Sequence, residues 1–274
     1  MTTSATDLIQ TELAAPYALP ASAVEQFNTY GYIKLKNVLS PELLAHYDSL
    51  ITDLVFKLNK LTKPMEERTT YERAFLQVMN LWRESEEVKE FVFSKRLAKI
   101  ATDLLQVTGV RLYHDQALYK ESSGGITPWH ADQFYWPLSS PKTVTVWIPL
   151  QKTDMEMGPL AFAEKSHEVE IGRDLEISDE SERLMTEQLK QFKLNETPFE
   201  LGEVSFHAGW LFHRAGANAS GRPRKVMTMI YMDQDQKIVQ PRNEYQQADW
   251  ETWLLSNPIG GPAASDLNPL LFSY

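Results

Sequence analysis

The chain has 274 residues, 43% hydrophobic and 11% aromatic, with 27 basic against 37 acidic residues and a net charge of −10. That composition supports one large folded domain, or at most two small ones, and argues against a polyanion or an anionic membrane as partner. Cysteine is absent, which excludes disulfides, thiolate zinc sites, iron–sulfur clusters and a thiol nucleophile together, so any metal has to be held by nitrogen and oxygen.

The opening "MTTSATDLIQTELAAP" has neither a basic start nor an apolar run, unlike an export signal, and no stretch approaches 18 apolar residues. The expectation is a cytoplasmic protein without a membrane span. "GYIKLKNVL" (31–39) alternates as a strand does. Ser40 before Pro41 marks a helix start, and "PELLAHYDSLITDLVFKLNKL" keeps apolar residues at helical spacing until Pro64. "AFLQVMNLWRESEEVKEFVF" (74–93) reads as a short extended piece and then a helix. Ser94 opens "KRLAKIATDLLQVTG", with Gly109 as its stop.

From Arg111 the texture changes to short alternating runs: "RLYHDQALYK", "TVTVWIPLQ", "PLAFAEKSH", "GEVSFHAGWLFHRAG" and "RKVMTMIYMD". An acidic helix over 178–190, a candidate lid, interrupts them. The reading is a single domain over 1–274, with a mainly helical flank (1–110), a barrel core carrying the site (111–240), and a C-terminal helix and tail (241–274). The fold class is mostly β with flanking helices: a double-stranded β-helix of the jelly-roll or cupin-like kind, whose inward-facing residues line a mouth.

Within "TPWHADQFYW" (127–136), His130 and Asp132 are two apart, so an extended chain aims both at one point. His213 in "GWLFHRAGANAS" is the best third ligand, ahead of His207. His46, His114 and His167 read as structural. Two histidines and a carboxylate leave three open positions on an octahedral ion, as the chemistry of a non-haem Fe(II) oxygenase needs; zinc would fit the same ligands. A 2-oxo-diacid chelating iron needs a cation for its far carboxylate. Arg224, eleven residues after His213 across "AGANASGRP", is placed for that, on a strand read as the antiparallel neighbour of the histidine strand.

The segments "LYHDQALYK…TPWHADQFYWP", "TVTVWIPLQ…MGPLAFAEKSH" and "GEVSFHAGWLFHRAGANASGRPRK" resemble the phytanoyl-CoA dioxygenase family of Fe(II)- and 2-oxoglutarate-dependent oxygenases, from about Gly31 to Asp233. The resemblance implies that His130, Asp132 and His213 hold iron and that Arg224 clamps the 2-oxoglutarate C5 carboxylate. It also places Trp147, Gln116 and Gln77 around that co-substrate. Two departures are Ala131, where glutamine is common, and Ala215, where some members use a serine to hold 2-oxoglutarate. Related halogenases have a small residue where Asp132 stands, so hydroxylation or another oxidation of a small molecule is expected, with dioxygen consumed and succinate and CO₂ formed.

Trp129, Phe134 and Trp136 are candidates for the substrate wall, the last two on the same strand face as the triad. The family name does not by itself imply an acyl-CoA, because "GRPRK" (221–225) is the only dense basic cluster. Nucleic acid and membrane are not expected partners, and a monomer is the default. The alternative from another class is a non-catalytic metal-binding cupin-type barrel, a sensor or ligand-binding protein. Arg224 speaks against it, because a sensor has no need of a carboxylate clamp.

Overall fold

A computed structural model describes residues 5–274; Met1–Ser4 of the segment read as lacking an export signal lie outside the described residues. Eight α-helices are described: α1 (Ala5–Ala14), α2 (Ala23–Tyr30), α3 (Pro41–Leu58), α4 (Thr70–Ala74), α5 (Glu86–Val92), α6 (Lys95–Leu105), α7 (Asp179–Gln188) and α8 (Glu244–Thr252). The strands are β1 (Tyr32–Leu35), β2 (Leu76–Met79), β3 (Gly109–Tyr119), β4 (Thr127–His130), β5 (Thr143–Pro149), β6 (Leu160–Ala163), β7 (Leu194–Glu196), β8 (Val204–Ala208), β9 (His213–Ala215), β10 (Val226–Asp233) and β11 (Leu270–Ser273). No described helix is long and apolar enough to cross a membrane.

Two antiparallel sheets form the barrel. The major sheet runs β1-β8-β5-β10-β3-β11, with β2 also pairing to β3; the minor sheet runs β4-β9-β6-β7. Side chains alternate across the major sheet. Val144, Val146 and Ile148 of β5, Val204 and Phe206 of β8, and Met227 and Met229 of β10 join the largest apolar core. The residues between them, Thr145, Trp147, His207, Thr228 and Ile230, line a cavity enclosed by the barrel. The core is closed by helices whose apolar residues recur at three and four positions: Leu43, Leu44, Tyr47, Ile51 and Val55 on α3, and Leu97, Ile100, Ala101 and Leu104 on α6. Each fully buried aliphatic side chain there contributes roughly 1.5–3 kcal/mol of hydrophobic stabilisation. Ser40 caps α3 by accepting from Leu43 N–H, with Pro41 at its first position, and Ser94 caps α6 through Leu97 N–H.

The structure departs from the sequence reading in four places. The helix after Ser94 ends at Gln106, which takes the left-handed conformation (φ 54°), while Gly109 opens β3. The helical flank contributes β1 and β2 to the major sheet, and the tail contributes β11, so the barrel is wider than 111–240. "GEVSFHAGWLFHRAG" is two strands in different sheets: β8 ends at Ala208 and β9 starts at His213. Gly209 sits between them, where a Cβ would collide with the side chains of Thr143 and Gln133, so only glycine lets the chain turn so close to β5. Finally, Arg224 is not beside the histidine strand. It bridges to Lys120 at the end of β3, in the major sheet, and the turn before it crosses between the sheets.

Candidate metal centre

The centre straddles both sheets. His130 ends β4 and His213 opens β9, and the two are directly paired in register, so their rings meet 4.1 Å apart. The strand stops at His130: Ala131 is still extended (φ −123°, ψ 126°), but Asp132 opens a 3₁₀ turn over Asp132–Tyr135. That one extended residue suffices to bring Asp132 to the same side as His130. Asp132 Oδ1 is 3.6 Å from Nε2 of each histidine. One ligand atom from each of the three lies within 4.8 Å of the others.

The protons are arranged for ligation. His130 Nδ1 donates to the Pro128 carbonyl at 2.7 Å, and His213 Nδ1 to the Leu211 carbonyl at 3.0 Å. Each contact fixes the tautomer whose Nε2 lone pair points at the common centre. Burial pushes both imidazoles down to about 4, so both are neutral at pH 7. Burial alone would raise the Asp132 carboxyl, but His213, His207 and His130 outweigh it and hold Asp132 ionised, well below the usual carboxylate range. The outer oxygen of Asp132 is held from the major sheet. Thr145 Oγ1 donates at 2.8 Å, and His207 Nε2, whose residue pairs with Thr145 across β5 and β8, sits at 3.2 Å. Thus Oδ2 is occupied and Oδ1 is left for a metal. His207 is a support for the carboxylate, while His167 bonds the Asn28 carbonyl away from the cavity.

Arg224 is 1% exposed and lines the same cavity. It donates to the Gly158 carbonyl and lies 5.4 Å from the Trp147 ring. Gly158 (φ +67°) packs against the backbone of Gly216, where any Cβ would collide. No carboxylate pairs with this guanidinium among the described residues, and its Nε is buried without a partner. Lys120 is a second buried base behind Thr127. Burial, helped by the Arg224 charge, pulls it down to about 6. A buried, uncompensated cation site is costly unless an anion completes it. Lys120 itself does not line the cavity; its Nζ donates to the Gly125 carbonyl and to Thr127 Oγ1.

Gln77 and Gln116 line the cavity and bond each other at 2.6 Å, and Gln77 Oε1 accepts from Tyr71 at 2.7 Å. Of the three aromatic candidates, only Trp136 lines the cavity. Trp129 points into a separate cluster with Ala163, Met185, Leu189 and Phe212, and Phe134 packs behind the turn. The physical reason is the end of β4: the 3₁₀ turn breaks the alternation that would have kept Phe134 on the triad face. Also on the wall are Tyr71, Tyr135, Tyr245, Asp249 and Trp253, none of them picked out from sequence.

A jelly-roll barrel with a two-histidine, one-carboxylate face has a donor set that suits a ferrous ion, the class of the non-haem iron oxygenases dependent on 2-oxoglutarate. The family model of phytanoyl-CoA dioxygenase (PhyH) matches residues 27–226, and the chain belongs to that family. Its fold is shared with the non-haem α-ketoglutarate-dependent carbocyclase SnoK from nogalamycin biosynthesis (TM-score 0.78, 23% identity, covering 94% of this chain and 99% of that one). It is shared also with the epimerase SnoN in complex with Fe³⁺, α-ketoglutarate and nogalamycin RO (0.76, 22%, 91% and 97%). A third is EctD from S. alaskensis with 2-oxoglutarate and 5-hydroxyectoine (0.68, 18%, 85% and 86%).

Proposed function

We propose that His130, Asp132 and His213 hold Fe(II), that Arg224 anchors the far carboxylate of 2-oxoglutarate, and that the protein hydroxylates a small molecule in the outer part of the cavity. The observation that carries this reading is the division of labour at Asp132. One oxygen is spent on Thr145 and His207, and the other faces two histidine nitrogens whose partner atoms are already committed to carbonyls. When bound, the ferrous centre supplies dioxygen activation coupled to conversion of 2-oxoglutarate to succinate and CO₂.

The chain's own residues supply position and enclosure. Arg224 and Trp147 form the inner end, and Gln116 and Gln77 flank it from β3 and β2. Trp136 forms part of the substrate wall. The cavity, about 1020 Å³, has room for 2-oxoglutarate and a second molecule of metabolite size. SnoN takes a nogalamycin-type molecule and EctD 5-hydroxyectoine; both support a small-molecule substrate over an acyl-CoA. The protein works as a monomer in the cytoplasm, where ferrous iron and 2-oxoglutarate are replenished.

The test is succinate formation from 2-oxoglutarate with Fe(II) and air, for wild type, Asp132→Ala and Arg224→Ala. Succinate from the wild type alone supports the reading. If 2-oxoglutarate also fails to bind the metal-loaded wild type, the non-catalytic metal-binding barrel replaces it.

A further inference from the structure

The cavity has an outer half that the iron chemistry does not use. Tyr245 and Asp249 on α8 and Trp253, its C-cap, recur at four-residue spacing, which puts them on one face, and all three line the cavity. The helix is pinned over the triad's own turn, because Gln246 donates to the Phe134 carbonyl at 2.9 Å. Six rings from three different segments surround the space: Tyr71, Phe75, Tyr135, Trp136, Tyr245 and Trp253. α8 lies beyond the residues that match the family model, whereas Tyr71, Phe75, Tyr135 and Trp136 lie within them, so the part of the wall outside the match is Tyr245, Asp249 and Trp253.

Asp249 is the polar group set into that wall. Its Oδ2 accepts from the Tyr113 hydroxyl at 2.9 Å, a contact made possible by a β-bulge. Across β10, Leu112 pairs with Tyr231 and His114 with Ile230, which leaves Tyr113 as the extra residue. The bulge re-aims it, so adjacent Tyr113 and His114 both turn toward the wall, their rings 5.2 Å apart. No described cation pairs with Asp249. The cations of the wall are engaged elsewhere: Arg68 with Glu121, Arg73 with the carbonyls of Met65 and Glu66, and Arg224 at the inner end. Glu176, a second carboxylate on the wall, likewise has no ion pair. Burial pushes the Asp249 carboxyl up to about 7, the cost of a carboxylate lacking a counter-ion. His114 also lines the cavity, 5% exposed, with Nδ1 buried and unpartnered and its ring 5.6 Å from Trp253. A carboxylate without a cation and the faces of six rings make an environment that selects positive charge.

We propose that the outer half of the cavity is an amine subsite: the substrate carries a protonated amine that pairs with Asp249 inside the aromatic wall, while the carbon to be oxidised faces the His130–Asp132–His213 centre. The inference rests on the oxygenase reading for what happens to the bound amine, and on the wall alone for the selection of charge.

The test compares three ligands of one ring framework, 1-naphthylmethylamine, 1-naphthylmethanol and 1-naphthoate, by titration calorimetry at pH 7.5 on the full chain. Each is titrated into metal-free protein and into protein loaded with Mn(II) and 2-oxoglutarate. The ammonium is expected to bind about tenfold or more tighter than the alcohol, since a charge-assisted contact replaces a neutral one, and the naphthoate weakest. Asp249→Asn should bring amine and alcohol within about twofold, and Asp249→Glu should restore the preference. Because the wild-type comparison reads charge selection without any variant, a misfolded variant does not decide the matter. Equal or tighter binding of the alcohol or the naphthoate, no measurable binding of any probe, or a preference that survives in folded Asp249→Asn overturns the proposal. Binding of 2-oxoglutarate to the Mn(II)-loaded wild type is scored separately: its loss with the amine preference intact refutes the oxygenase reading and leaves the subsite standing.

Discussion

The two ends of the cavity are built by different means. At the inner end every ligand nitrogen and carboxylate oxygen has an assigned task, and the tasks are set by strand pairing: His130 opposite His213, Thr145 opposite His207, Lys120 opposite Arg224. The outer wall comes from α4, the 3₁₀ turn after His130, the segment before α7, and α8. Its polar groups, Asp249 and His114, are incompletely satisfied. Sheet register fixes atoms to fractions of an ångström, which chemistry at a metal needs, whereas helices and turns laid over the mouth change without disturbing the barrel. A reaction class is therefore written in the sheets and a substrate preference in what covers them.

The largest expected effects break the inner end. Asp132→Ala removes the one anionic ligand and should weaken Mn(II) or Fe(II) binding by more than about 100-fold, read by competition with a chelator. Arg224→Ala should leave metal affinity within about threefold yet weaken 2-oxoglutarate by about 100-fold, since it removes the guanidinium proposed as the anchor. If both variants lose metal equally, Arg224 supports the fold and is not the anchor. A smaller effect is expected one shell out. His207→Phe removes one of two donors to Asp132 Oδ2 and should cost about tenfold in metal affinity, with Thr145→Val similar. No loss in either would mean that the carboxylate needs no orienting partner, and the contrast between a fixed inner end and a permissive outer one would weaken.

The same contrast explains what the sequence disclosed. His130-x-Asp132 was legible because one extended residue sets the geometry, and the strand's end at His130 did not matter to that pair. It did matter to Phe134, four residues on, where alternation no longer applied. Arg224 was found at the right distance from His213 for a reason the structure replaces, since its strand lies in the other sheet. Asp249 was not legible. Its Tyr245-Asp249-Trp253 spacing marks one helix face, but nothing local says that α8 returns to cover residues more than a hundred positions earlier. The bulge that turns Tyr113 toward Asp249 is equally silent, being a property of two strands rather than one.

A pH experiment probes a carboxylate outside both ends. Asp115 is fully buried on β3, its Oδ1 accepting from Leu81 N–H at 2.9 Å and its Oδ2 without a partner. Burial pushes it from 3.8 up to about 7. The folded state therefore keeps a proton that the unfolded chain releases near 3.8. The stabilisation is complete below that pH and lost progressively as pH rises to about 7. Asp115→Asn cannot titrate, so its Tm relative to wild type should climb between pH 4 and pH 7. Its constant offset carries no information, because the new amide changes the local hydrogen bonds. A parallel pair of Tm curves would mean that Asp115 is ionised in the fold.

The smallest effect sharpens where the wall is drawn. Trp129 and Trp136 are both almost completely buried, both aromatic, and seven residues apart, yet only Trp136 faces the cavity. Trp129 is packed under α7 with Arg214 5.1 Å from its ring and Met185 and Phe212 beside it. Its backbone N–H donates to Glu182 of α7 at 3.0 Å, which ties the helix to β4. Trp129→Phe removes packing there and should lower stability by about 1–2 kcal/mol, seen as a fall of a few degrees in Tm. Naphthylmethylamine and 2-oxoglutarate affinities should stay within about twofold. Trp136→Phe should do the reverse, weakening the amine more than it shifts Tm. If the two substitutions weaken the probe equally, a ring one strand face removed from the cavity still shapes it, and the boundary between barrel and wall has to be moved inward past β4.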